Sequence, residues 1–249
     1  MTQDSMTPHY VWFRFSPVNK NLLDSLTNSN LHFSTPKHLN DPFDCQVDIR
    51  AAFTNAAAQT TGKKQAWLTS ALAEGDAFLK TWPSIADETG ICCFSLELLN
   101  TLMWAHYADG HKGVCLCYSM PPEFITDNTL GAVEVTYAAN PLTRWLIDFD
   151  NQSLDLGSFM YSFPKLFFAI KAPAWRYEKE ARLIWARPNN QGNLFVPKGL
   201  LKQVTFGMKI TNRDKTLVQT LAREHCGCES FSRIVHDGKS DFGLDAVPI

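Results

Sequence analysis

The sequence lacks the motifs that identify the commonest nucleotide-handling and ester-handling enzymes. Its 249 residues contain no G-x-x-x-x-G-K-S/T loop, no G-x-G-x-x-G turn and no G-x-S-x-G segment. Each of these motifs brings backbone N–H groups or a nucleophile to a phosphate or an acyl group. Their absence disfavours a Walker-type phosphotransferase, a standard Rossmann dehydrogenase and an α/β-hydrolase.

Strong charge and long apolar runs are also missing. The formal net charge is -2, which disfavours a protein that attracts nucleic acids through an overall positive charge. A local basic groove is still compatible with this net charge. No apolar stretch approaches the ~20 residues that a membrane-spanning helix needs. Residues 1–8 are polar and contain no apolar signal core. We therefore expect a cytoplasmic protein without a membrane partner.

The cysteines and histidines do not follow common metal-site spacings. The 7 cysteines include Cys92-Cys93, Cys115-x-Cys117 and Cys226-x-Cys228, and no C-x-x-C or H-E-x-x-H motif occurs. The odd number and the missing secretion signal disfavour a disulfide framework. We predict no metal site, with the cysteines serving as small buried side chains.

Hydrophobic periodicity predicts an α+β fold. The aromatic, alternating segment 9–15 is typical of a strand, and Leu22, Leu23 and Leu26 recur at helical spacing. Strand and helix patterns then follow each other without a convincing linker or repeat. We predict one α+β domain over residues 1–249, with mixed or antiparallel central sheets and flanking helices. Residues 51–88 are predicted to form a helical insertion whose role is open: a lid, an interface or filler.

The densest group of functional side chains lies at residues 103–113, M-W-A-H-Y-A-D-G-H-K-G. Trp104, His106 and Tyr107 fall within four positions near a predicted helix end. This grouping is typical of a site wall, where an aromatic surface meets titratable groups.

Two carboxylates between two guanidiniums form the second candidate. Arg176, Glu178, Glu180 and Arg182 alternate, so on a strand all four would point to one face. On a helix they would form two i,i+4 pairs. They are either a solvated ion-pair ladder or, next to the apolar segment 183–185, carboxylates that stabilise a cationic transition state.

Arg14, Ser34 and Asn40 complete the candidates. Arg14 is a lone arginine inside an aromatic strand, so it either pairs with an acid such as Asp44 or binds a phosphate. Asn40 begins the turn Asn-Asp-Pro. Ser34 and Asn40 are either turn formers or hydrogen-bond partners of a ligand.

Four segments together resemble a known bacterial family. They are F-S-T-P-x-x-L-N-D-P-F-D at 33–44, C-F-S at 93–95, M-W-A-H-Y-A-D-G-H-K-G-V-C at 103–115 and Y-E-K-E-A-R-L-I at 177–184. This pattern is similar to the family known as domain of unknown function 2971, often described near phage-defence genes. The resemblance implies an operon partner protein but no established chemistry.

The order Arg14, Ser34-Thr35 and Glu178-x-Glu180 also resembles ADP-ribosyltransferases, less specifically. That resemblance implies a split-sheet fold and NAD as the cofactor. The sequence departs from the pattern in a long gap before the glutamates and in Pro36, where a serine is expected.

The first hypothesis is accordingly an NAD-consuming ADP-ribosyltransferase or NAD glycohydrolase, acting as a defence or toxin effector. Arg14 would hold the pyrophosphate, and Trp104 or Tyr107, beside His106, would stack on nicotinamide. Glu180 would stabilise the oxocarbenium-like transition state, and Glu178 would activate the acceptor. The hypothesis requires Arg14 and Glu180 on the same side of the fold. The acceptor is a protein, a nucleic acid or water.

Two alternatives stay open. A metal-dependent nuclease would gather Asp41, Asp44, Glu178 and Glu180 around Mg²⁺. A non-catalytic sensor or partner-binding module of a phage-defence system would use the aromatic group at 103–113 for recognition.

Overall fold

A computed structural model describes residues 9–149, 163–164, 166–186 and 192–249. Its strands, in chain order, are β1 (Tyr10–Ser16), β2 (Asn30–His32), β3 (Thr89–Ser95), β4 (Val114–Met120), β5 (Leu130–Glu134), β6 (Thr136–Tyr137), β7 (Ile170–Lys171), β8 (Glu180–Ala186), β9 (Asn193–Phe195), β10 (Leu201–Phe206), β11 (Ser230–His236) and β12 (Leu244–Pro248).

The described α-helices are α1 (Lys20–Thr27), α2 (Ile49–Ala58), α3 (Gly62–Glu74), α4 (Asp76–Glu88), α5 (Thr101–Tyr107), α6 (Pro122–Asp127), α7 (Pro141–Asp148) and α8 (Asn212–Cys226). Two 3₁₀ helices, η1 (Pro36–His38) and η2 (Pro173–Glu178), precede parts of the candidate site.

Eight strands form one sheet in the order β12-β11-β10-β4-β1-β3-β8-β5. The pair β10–β11 is parallel, and the other neighbouring pairs of this sheet are antiparallel. Two small sheets join β2 to β9 and β6 to β7. The predicted α+β class with a mixed central sheet and flanking helices is confirmed. The split sheet of ADP-ribosyltransferases is not confirmed.

The large sheet separates two apolar clusters. On one face, Trp12 and Leu183 pack with Leu22 and Leu26 of α1 and with Val218 of α8. Helix α1 begins where the Asn19 side chain accepts a hydrogen bond from the Leu22 N–H, which satisfies a donor at the helix end. The other face supports the candidate site.

Helices α2, α3 and α4 occupy the segment predicted to be a helical insertion. Phe53, Leu68 and Trp82 form a second apolar cluster with Phe163 and Phe167. The insertion and its role as a lid or an interface stay predictions. Among the described residues, no helix combines the length and apolar character that a membrane crossing requires.

Two local features of the backbone shape the site. Helix α5 is capped by Asn100, whose side chain accepts from the N–H groups of the first turn. The Ser95 hydroxyl donates to the Glu178 carbonyl at 2.7 Å. Strand β8 begins at Glu180, because η2 runs up to Glu178.

Candidate functional site

Lys171 lies at the centre of a buried group of charges. Its Nζ is 2.5 Å from Glu178 Oε2, 3.1 Å from Glu180 Oε2 and 3.5 Å from Asp44 Oδ2. None of these four side chains is more than 4% exposed. Buried charges persist in folded proteins when they are paired, and here one ammonium contacts three carboxylates.

Arg182 completes this group, which we call the charged cluster: Asp44, Lys171, Glu178, Glu180 and Arg182. The fully buried guanidinium donates two hydrogen bonds to Asp44, at 3.0 and 2.7 Å, and two to Glu180, at 2.7 and 3.0 Å. A fifth bond, of 2.8 Å, goes to the Phe168 carbonyl. Paired N–H···O bonds of this kind are strong and fix orientation. Arg182 is therefore a structural anchor of the cluster.

The backbone at Lys179 explains how both glutamates reach the cluster. Glu180 and Arg182 share one face of β8 because side chains alternate along a strand. Glu178 belongs to η2, and Lys179 between them is left-handed, with φ 43° and ψ 56°. The prediction of one strand carrying all four residues is wrong for Arg176 and Glu178. Arg176 is exposed and donates to the Tyr137 carbonyl.

The two glutamates differ in their protonation. Burial raises the pKa of Glu178 above its usual range, although Lys171 and Tyr107 oppose the shift. Burial also acts on Glu180, but Arg182 and Lys171 outweigh it and lower the pKa of Glu180 to about 2. The surrounding carboxylates outweigh burial at Lys171 and raise its pKa, so it stays charged. With all five groups ionised, the cluster holds three negative and two positive charges.

A small cleft of about 80 Å³ opens onto this cluster. Phe13, Phe15, Leu39 and Met103 are among its apolar lining residues. Its polar lining residues are Asn40, Asp44, Cys93, Ser95, Tyr107, Lys171, Glu178 and Glu180. Sites for whole drug-sized ligands usually have ~300–1,000 Å³. The cleft is therefore too small to enclose a whole drug-sized ligand.

Tyr107 connects the cleft to Glu178. Its hydroxyl donates a hydrogen bond to Glu178 Oε1. The same hydroxyl oxygen accepts from Asn40 Nδ2 at 2.8 Å. Of the residues predicted for the site, the structure thus brings together Asn40, Tyr107, Glu178 and Glu180. His106 is exposed beside them, with Nδ1 3.0 Å from the Tyr177 hydroxyl oxygen.

Trp104 and Ser34 are outside the cleft. Trp104 is 0% exposed, packs edge-on against Phe15 and donates from Nε1 to the Leu98 carbonyl. It belongs to the core, so the prediction that it stacks on nicotinamide is wrong. The Ser34 backbone forms an isolated bridge with Ile91, and Ser34 is not a lining residue of the cleft.

Arg14 lies on the opposite face of the sheet from Glu180. Phe13 pairs with Ser95, and Ser95 pairs with Glu180, which puts these three on the cleft face. Arg14 points the other way and donates to Cys92 Sγ at 3.1 Å. The predicted arrangement in which Arg14 and Glu180 hold one NAD molecule is therefore wrong. The expected Asp44 partner is also wrong, since Asp44 is bound by Arg182.

The nuclease arrangement is only partly formed. Asp44, Glu178 and Glu180 do converge, but they converge on Lys171. Asp41 instead accepts a hydrogen bond from the Phe43 N–H in a local turn. Within the described ranges, no group of three His, Cys, Asp or Glu side chains is arranged to hold a metal ion.

Sequence reasoning missed the central cation. Lys171 directly follows the apolar run 166–170, and a lysine in that position indicates a buried cation. A lysine that closes a buried segment needs buried carboxylates nearby. The E-x-E pair at 178–180 supplies two such carboxylates.

Residues 103–183 match the family described as protein of unknown function (DUF2971). The resemblance to that family is confirmed over this region. The DUF2971 region contains Tyr107, Lys171, Glu178, Glu180 and Arg182, whereas Asn40 and Asp44 lie before it. No curated protein and no solved structure matches the chain. The family description names no activity.

Proposed function

We propose that the chain is an enzyme that breaks the bond between a positively charged aromatic ring and a ribose, with NAD as its substrate. One observation carries the proposal. A cleft with aromatic walls ends at a buried cluster in which three carboxylates contact two cations. The nicotinamide of NAD is a cationic aromatic ring, and its departure leaves positive charge on the sugar.

The excess negative charge would favour that reaction. A fixed carboxylate stabilises an oxocarbenium-like transition state best where water is scarce, because the local dielectric constant is low. Glu180 suits this role, since its lowered pKa keeps it ionised. Lys171 and Arg182 hold its carboxylate in one orientation.

Glu178 would handle the acceptor's proton. Its raised pKa brings it closer to the range in which a carboxylate accepts and returns protons efficiently. Phe13, Phe15 and Tyr107 would contact the nicotinamide ring in place of the buried Trp104. The sequence-based hypothesis required Arg14 and Glu180 on the same side of the fold, and that arrangement does not occur. The present proposal therefore omits Arg14 and keeps only the two glutamates, and the pyrophosphate would be bound at the mouth of the cleft.

The direct test is nicotinamide release from NAD together with NAD-dependent thermal stabilisation. The wild type should release nicotinamide, and Glu178→Gln should lose about 100-fold or more in rate, as expected for a general base. Glu123→Gln, an exposed glutamate on α6, is the matched control and should behave like the wild type. Absence of release by the wild type over hours, with no rise in melting temperature, would contradict the proposal.

A second candidate is a non-catalytic module that binds a cationic ligand. It is favoured by one observation, namely that Arg182 and Lys171 already engage both Glu180 oxygens. Stabilisation by NAD without nicotinamide release would support this alternative, because binding raises stability whether or not turnover follows. A role as a toxin or phage-defence effector depends on the activity and stays a prediction, as do the operon partner and the cytoplasmic location.

A further inference from the structure

We infer that Tyr107 passes the acceptor's proton to Glu178, so that the reacting oxygen contacts the phenol and not the carboxylate. This inference rests on the proposed function and adds a catalytic role for Tyr107 beyond contact with the ring. It makes Asn40 a positioning residue for the Tyr107 hydroxyl.

The first support is the occupation of Glu178. Its side chain is 4% exposed, and Oε2 is 2.5 Å from Lys171 Nζ. Its other oxygen, Oε1, accepts the Tyr107 hydroxyl. Tyr107 is only half-buried and lines the cleft. A group that enters from the mouth therefore reaches Glu178 most directly through the phenol oxygen.

The second support is the direction of the hydrogen bonds. Asn40 Nδ2 can only donate, so the Tyr107 oxygen must accept from it at 2.8 Å. The single phenol proton is then directed at Glu178. One acceptor site remains on the phenol oxygen, and it can take a hydrogen bond from an O–H group in the cleft.

When the acceptor is water, two proton transfers accompany the attack on the ribose. A water O–H bond breaks, and its proton moves to the Tyr107 oxygen while the proton of Tyr107 moves to Glu178 Oε1. The water oxygen forms a bond to the anomeric carbon of the ribose. The carbon–nitrogen bond breaks, and its electron pair stays on the ring nitrogen, which gives neutral nicotinamide. Glu178 holds the released proton.

The pKa shifts of Tyr107 and its surroundings agree with a concerted transfer of the two protons. Burial and the hydrogen bond to Glu178 raise the pKa of Tyr107, so a free phenolate does not form. Lys171 is a poor proton donor, because its contacts with three carboxylates raise its pKa. The titratable groups facing Glu178 are Tyr107, Tyr137, Lys171, Tyr177 and Glu180.

Tyr107→Phe separates this role from ring stacking, because it keeps the ring and removes the hydroxyl. We expect kcat to fall by about 100-fold or more, with KM within about two-fold of the wild type. The acid limb of the pH–rate profile should move to higher pH, because the hydrogen bond from Tyr107 lowers the pKa of Glu178. The melting temperature without NAD serves as the check on folding.

Tyr10→Phe is the matched control. Tyr10 is an exposed phenol on β1 that packs beside Trp12, on the face of the sheet opposite the cleft. We expect it to keep kcat within about two-fold of the wild type and to leave the acid limb in place. An equal loss in both variants would overturn the assignment to Tyr107.

The outcomes distinguish this inference from the proposed function. A wild type that releases no nicotinamide defeats the proposed function itself. A wild type that releases nicotinamide, with Tyr107→Phe equally active, defeats only the proton transfer through Tyr107. A pH titration followed by carboxyl ¹³C NMR measures the protonation of Glu178 without turnover. The signal that is missing in Glu178→Gln belongs to Glu178. The titration midpoint of Glu178 should rise in Tyr107→Phe, and an unchanged midpoint would overturn the inference.

Discussion

Glu178 and Glu180 are two positions apart and contact the same lysine, yet their surroundings differ. Glu180 is held by two N–H groups of Arg182 in addition to Lys171. Among the residues that the structure describes, no guanidinium contacts Glu178; its partners there include Lys171 and the Tyr107 phenol at the cleft. Opposite pKa shifts follow, upward for Glu178 and downward for Glu180. The partners of each carboxylate, and not burial alone, decide the direction of its pKa shift.

The Arg182 side of the charged cluster should carry most of the stability. Arg182→Met would leave Asp44 and Glu180 buried with Lys171 as their remaining cation. We expect a loss of about 3–5 kcal/mol in the free energy of unfolding, as for other buried pairs that lose one partner. Urea unfolding followed by circular dichroism measures it.

Arg144→Met is the control for this substitution. Arg144 forms an exposed i,i+4 pair with Asp148 on α7, and such pairs contribute roughly 0.3–0.5 kcal/mol. Similar losses in the two variants would mean that the cluster is no more important than a surface pair.

The two glutamates should respond oppositely to replacement by glutamine. For Glu180, the folded pKa of about 2 lies below the ordinary 4.5. The contribution of ionised Glu180 to the free energy of unfolding is therefore present above about pH 4.5 and is lost as the pH falls toward 2. Glu180→Gln should lower the free energy of unfolding by on the order of 3 kcal/mol at pH 7.

The pKa of Glu178 is raised, so its effect on the pH dependence of stability is opposite to that of Glu180. Ionising Glu178 in the folded state costs stability once the pH exceeds the ordinary pKa of a glutamate. Glu178→Gln should leave stability at pH 7 unchanged or slightly higher, and it removes the excess negative charge. Urea unfolding between pH 3 and pH 8 compares the two variants, and equal losses at pH 7 would remove the distinction between them.

The smallest effect is expected on the other face of the sheet. Arg14→Met replaces a guanidinium that contacts Cys92 and the His32 carbonyl; among the described residues, no carboxylate pairs with it. Because the cleft lies on the opposite face, nicotinamide release should stay within about two-fold of the wild type, with KM for NAD unchanged. A KM raised ten-fold or more would return Arg14 to the site.

Local patterns predicted the elements better than their relative positions. The alternation of 9–15 and the spacing of Leu22 and Leu26 indicated β1 and α1, because periodicity is a property of a short segment. Residue type and grouping indicated the E-x-E pair, Asn40 and Tyr107 as candidate site residues. These four do line one cleft.

The errors concern contacts between distant segments. Which face of the sheet holds Arg14 depends on the registers of β1 with β3 and of β3 with β8, which no local pattern reveals. Trp104 appeared accessible beside Tyr107, but the packing of α5 against Phe15 buries it. Lys171 is brought to the carboxylates by the small β6–β7 sheet, whose strands are two residues long and too short for a periodic signal.

The left-handed Lys179 has a consequence for recognising such sites in other sequences. The left-handed backbone conformation of Lys179 brings the carboxylates of Glu178 and Glu180 to one cation. The spacing between the two glutamates should therefore tolerate no insertion or deletion. The Lys179 side chain is exposed and pairs with Glu97 at the surface, where an ion pair contributes little to stability. We therefore expect this position to vary among residues that accept positive φ, such as glycine and asparagine, whereas β-branched residues should be rare. A sequence signature for this site is therefore glutamate, a residue tolerant of positive φ, glutamate, any residue and arginine, with a lysine seven residues before the first glutamate.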